Sequence, residues 1–128
     1  MSAAHMGVLY CLLGLLGVSL VGPGLAGTFR PGIGHTWLIA EAADARNHLR
    51  GLNAMMAGFG MVALWACWDL ESSRQLVLAL GVVLAVVAVA RLYSLLIDGL
   101  PGATTLTYLV IEVLLSAVFL LWPPPPLA

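Results

Sequence analysis

What most limits the folds open to this chain is a set of four apolar runs, each close to the length that crosses a bilayer. A helix rises about 1.5 Å per residue, so roughly 20 mostly apolar residues traverse about 30 Å of hydrocarbon. The runs lie at about residues 7–25, 51–68, 76–97 and 104–122. Trp65, Trp68 and Trp122, at the far ends of the second and fourth runs, have the character of interfacial anchors. The composition agrees: 62% of residues are hydrophobic, 9% are charged, and the mean hydropathy is +1.05. Such values lie outside the range of soluble domains. The expectation is an all-α integral membrane protein, with four transmembrane helices in an antiparallel bundle forming one domain over residues 1–128.

The charges exclude a second class. Five basic residues, all arginines, stand against six acidic ones, and no basic arm or stripe is present to bind nucleic acid. No Lys or Arg precedes the first apolar run, whereas a secretory signal opens on a basic segment. That run is therefore expected to remain as a span. Cleavage near Gly27, where small residues cluster, is the competing reading.

The connections are unequal. DLESSRQ and DGLPGAT are tight turns, so helices two, three and four should run antiparallel as neighbours. The stretch from Thr28 to Arg50 is longer, and its second part, TWLIAEAADARNHLR, combines helix formers with alternating apolar and charged faces. An amphipathic interfacial segment over about residues 35–50, continuous with helix two or kinked into it, is expected there. With four spans, Arg30, Arg46 and Arg50 fall on one side and Arg74 on the other. That bias puts both termini outside the cytoplasm.

Depth can be counted outward from each turn. Arg91 lies ten residues before Pro101 and Glu112 eleven after it, which puts both roughly 15 Å from that turn. Asn53 and Arg91 each lie nineteen residues from Ser72, so Asn53 belongs at the same level. Arg91, Ser94 and Asp98 form one stripe on helix three, while Thr105, Tyr108, Glu112 and Ser116 form another on helix four. A lone charge in hydrocarbon costs at least about 2.5 kcal/mol, and an Arg91–Glu112 pair removes most of that cost. Asp98 is the alternative partner for Arg91. Asn53, Tyr108 and Ser94 are placed to satisfy what the pair leaves open, while Arg46, Asn47 and Arg50 would cap this layer from the membrane surface. The pair either fixes helix register or serves as a ligand or proton site.

Gly7, Gly14 and Gly17 on helix one, with Ala54, Gly58 and Gly60 on helix two, permit close backbone approach within the bundle or against a partner's helix. Cys11 and Cys67 lie inside apolar runs and read as inert thiols, with a disulfide the lesser alternative. No CxxC, HExxH or phosphate-binding glycine loop occurs. His5 and His48 lack defensible partners, and a His site with Glu41 or Asp44 is weakly signalled. No catalytic group, cofactor or metal is expected.

The segments NHLRGLNAMMAGFGMVAL, VAVARLYSLLIDGLP and TYLVIEVLLSAVFLL, within residues 45–121, resemble an uncharacterised family of small bacterial four-helix membrane proteins, a domain of unknown function. The resemblance implies four helices and a grouping of Asn47, Arg50, Arg91, Asp98 and Glu112, but no activity. Two functions follow as expectations. The first is a non-enzymatic accessory or scaffold subunit of a larger inner-membrane complex or homo-oligomer. The second is a binder or carrier of a small amphipathic molecule, lipid or proton, with Arg91 facing an anionic head group and Glu112 a proton or cation. Small multidrug transporters also use a membrane glutamate, but on helix one, which here has no charge.

Overall fold

The computed structural model describes residues 3–33 and 43–126. Among them are four helices and no strand: α1 (Ala3–Phe29), α2 (Ala43–Trp68), α3 (Arg74–Ile97) and α4 (Ala103–Leu121). Each is long and apolar enough to cross a membrane. The polar segment ARNHLR is part of α2, so the expected interfacial segment is, from Ala43 onward, the first two turns of a continuous helix. Its earlier part, with His35 and Glu41, lies outside the described residues.

The helix α1 continues through Pro23 to Phe29. Proline removes the N–H that would bond the Ser19 carbonyl, a loss that apolar spans tolerate when hydroxyls and neighbouring helices compensate. Hydroxyls bond back along this helix on either side: Ser19 Oγ to the Leu16 carbonyl at 2.9 Å, and Thr28 Oγ1 to the Gly24 carbonyl at 2.8 Å.

Close contacts divide the chain into two compact units, Met1–Leu12 with Asp69–Ala128, and Leu13–Trp68. In the second unit, α2 buries Ala57, Gly60, Ala63 and Ala66 at a spacing of three, a stripe without bulk. The remainder of α1 meets it at glycines. A Cβ on Gly24 would stand 2.7 Å from the Ala57 nitrogen, and one on Gly60 would stand 2.8 Å from the Gly17 carbonyl oxygen. Contacts this short are possible only where side chains are absent, which is how helices gain dispersion energy in lipid. Partners on α2 descend as those on α1 rise, so the pair is antiparallel.

The first unit is built on the α3–α4 hairpin. Its interior holds Val77, Leu80, Ala88, Leu109 and Phe119, with Leu9 from α1 also buried in this unit. Gly81 lets α3 approach Phe119 and Leu120. The turn that closes the hairpin follows the expected punctuation. Asp98 caps α3 through its N–H to the Ser94 carbonyl at 2.7 Å, and Gly99 takes φ +90°. That left-handed conformation suits glycine and ends helices. Gly102 then starts α4 by accepting from the Thr105 and Leu106 amides.

The outward faces are apolar. Leu96, Leu121 and Trp68 are among the most exposed residues, along with Val86, Val89, Leu114 and Trp65. In water such surfaces would aggregate, whereas in a bilayer they meet acyl chains. Cys11 is a free thiol on the exposed surface of α1 rather than in the interior.

Candidate binding site

The inner face of α4 carries Leu109, Glu112, Ser116 and Phe119 at helical spacing, and Glu112 is the one charged member. On α3 the inner face that buries Ala88 continues to Arg91. The two charges meet: Arg91 Nε donates to Glu112 Oε2 at 2.6 Å. The carboxylate side chain is 15% exposed and the guanidinium 35%. A short charge-assisted bond of this kind removes the cost of two isolated charges at membrane depth.

Asp98, the alternative partner for Arg91, instead accepts from Ser94 Oγ at 2.7 Å. Tyr108 flanks the pair, with the Arg91 guanidinium carbon 6.0 Å from its ring centre, the outer range of a cation–π contact. The stripes inferred on α3 and α4 therefore assemble, with Glu112 rather than Asp98 taking the arginine. Ser116 is buried but bonds locally, to the Val113 carbonyl.

The contact with Glu112 occupies one edge of the guanidinium. Among the described residues, no other protein acceptor takes a hydrogen bond from Arg91. The same residue lines a cleft of about 70 Å³, together with Ser94, Leu95, Pro101, Thr105, Leu106 and Leu109. No acidic side chain is in that lining.

Arg50 and Asn53 do their work in the second unit. One terminal nitrogen of Arg50, Nη1, donates to the Thr28 and Phe29 carbonyls at 2.6 and 3.1 Å. These carbonyls lie at the C-terminus of α1, where the helix lacks internal donors and its dipole favours a cation. Asn53 Nδ2 donates to the Leu49 carbonyl at 2.8 Å, and its amide stands where a Cβ on Gly27 would be. The sequence count put Asn53 at the level of Arg91 and Arg50 above it as a cap, and depth alone says nothing of these local acceptors. Asn47 is exposed.

The packing glycines also divide. Gly17 is in close contact with Gly60 and Leu64, whereas Gly7, Gly14 and Gly58 have nothing within 4 Å and Ala54 is exposed. Gly24 and Gly27, not singled out from sequence as packing residues, also make close approaches to α2.

A second polar cluster lies at the opposite end of the hairpin. The ring of His5 stacks on Trp122 at 3.9 Å, and His5 Nε2 is 2.9 Å from the Trp122 carbonyl oxygen. An accepting carbonyl requires the proton on Nε2. Arg74 donates to the Pro124 carbonyl nearby in the fold. Trp122 is thus held by His5 in addition to any role at the interface.

Fold and site together define a small multi-pass helical membrane protein with one ion-paired layer inside a helical hairpin. The chain belongs to the family described as Domain of unknown function (DUF4345), which matches residues 8–123 and so covers all four helices. No curated protein and no solved structure matches it.

Proposed function

We propose that this protein is a non-enzymatic binder or carrier of a small amphipathic molecule in the bacterial inner membrane, with the Arg91–Glu112 layer as its site. One observation carries the reading: Arg91 commits a single nitrogen to Glu112 and also borders a cleft. A pair that served only register would gain from full saturation of both groups, since partly satisfied polar networks are costly in a low dielectric. Helical spans suit the inner membrane, because outer-membrane proteins cross as barrels.

A second reading, an accessory subunit of a larger complex, is favoured by Gly7, Gly14 and Gly58, which offer backbone approach that the described residues do not use. One experiment addresses both. The tagged protein is isolated from its own membrane in mild detergent, and co-purifying proteins and extracted lipids are measured by mass spectrometry. The binder reading expects one amphiphile enriched over its share of the bulk membrane, and a lipid profile identical to the bulk would overturn it. A stoichiometric protein partner supports the accessory reading.

A further inference from the structure

We infer that the cleft between the end of α3 and the start of α4 receives the oxyanion of a membrane lipid's head group, bound by Arg91 and Thr105. This rests on the binder reading above and decides which charge the ligand carries. A proton or cation would need a carboxylate in the cleft, yet the lining holds one charge, and it is the positive Arg91. Glu112 occupies the Nε edge of the guanidinium. The terminal nitrogens have no protein acceptor among the described residues and remain as donors of the geometry that carboxylates and phosphates accept.

The other polar groups fit the same ligand. Thr105 lines the cleft, and its hydroxyl makes no hydrogen bond to a described residue. Ser94 spends its proton on Asp98, and so helps shape the site without donating to it. Asp98 is kept at that hydroxyl and does not line the cleft.

Size and position restrict the ligand further. The cleft measures about 70 Å³, several times the roughly 10–15 Å³ that one water needs on that measure. That admits a carboxylate or phosphate group whose attached chains lie outside. Leu95, Pro101, Leu106 and Leu109 form the apolar walls, and Leu92 and Leu96 are exposed on the same helix. Arg91 is about six residues, or roughly 9 Å, from the end of α3, within reach of the head-group layer. An acyl chain in the bilayer can therefore lie along the hairpin while its head group enters the cleft.

Glu112 makes the inference testable, because it competes with the ligand for the same guanidinium. The whole protein in detergent is titrated with phosphatidylglycerol, with diacylglycerol, which has the acyl chains but no oxyanion, and with inorganic phosphate, and bound species are counted by native mass spectrometry. Phosphatidylglycerol should bind about tenfold or more tighter than diacylglycerol, the ratio that one charge-assisted hydrogen bond supplies. Glu112→Gln should strengthen phosphatidylglycerol binding several-fold, as it removes the competing anion. Thr105→Val should weaken it without lowering the melting temperature. Because Arg91→Gln alone strands a carboxylate and could unfold the chain, selectivity is also read in the Arg91→Gln/Glu112→Gln double variant, which removes both charges and should bind the two lipids equally.

Amphiphile binding that ignores the head-group phosphate, or selectivity that survives the double variant, overturns the oxyanion site and leaves the broader binder reading standing. Inorganic phosphate that displaces phosphatidylglycerol at equal concentration overturns the lipid as the source of the anion. Failure to bind either lipid overturns both readings.

Discussion

Arg91 and Glu112 stabilise each other at a depth where neither would be tolerated alone. Removal of one partner leaves a partly buried charge, whereas removal of both leaves two neutral amides that can bond each other. Arg91→Gln and Glu112→Gln are each expected to cost about 1–3 kcal/mol, and the double variant to recover most of the loss. Thermal melts of the four proteins in one detergent measure this, and additive losses would show that the charges do not interact. The pairing was legible in the sequence because both residues count to the same distance from a tight turn. The exclusion of Asp98 was not, because it depends on where Ser94 points. The stacking of His5 on Trp122 was also beyond reach, since the two residues are separated by nearly the whole chain and no periodicity links them.

The helices themselves were read within a few residues, because continuous hydrophobicity and glycine-proline punctuation act locally. The start of α2 is the largest extension. The charged ARNHLR segment carries no apolar run, but it has strong helix formers, and its Arg50 binds the end of α1. Which small residues pack was much less legible, because composition does not reveal which face of a helix is covered. The structure separates them, and a matched pair of substitutions tests the separation. Gly24→Ala would set a Cβ against the backbone of Ala57 and Asn53, neither of which can give way as a flexible side chain would. It is expected to destabilise by about 1–3 kcal/mol. Gly58→Ala adds a methyl in open space and is expected to be neutral, or to stabilise by up to about 1 kcal/mol through helix propensity. Melts of both variants in detergent decide the matter, and an equal loss in the two would contradict the α1–α2 packing. If Gly58→Leu leaves the isolated protein intact but strips a co-purifying protein from it, the open stripe is a docking face.

Across the whole molecule, an even number of spans ties the two ends of the bundle to one side of the membrane. Four crossings return the chain to the side on which it began, and the stacking of His5 near the start of α1 on Trp122 at the end of α4 agrees with that. The arginines bear on which side that is. Alternating spans are expected to put Arg30, Arg46 and Arg50, at the α1–α2 connection, on the side of the α3–α4 turn and Arg74 on the other. Arg50 is hydrogen-bonded to α1 carbonyls but keeps its charge, because carbonyl acceptors do not neutralise a guanidinium. It therefore still counts toward the bias that retains arginines in the cytoplasm. Both termini are expected outside the cytoplasm, and the Arg91 cleft, which opens toward the α3–α4 turn, should face the cytoplasmic leaflet. Alkaline phosphatase fused after Ala128 should be active, and a green fluorescent protein fused at the same place should be dark. The reverse pattern would invert the orientation and assign the cleft to the outer leaflet, so that the lipid it samples would come from the other half of the bilayer.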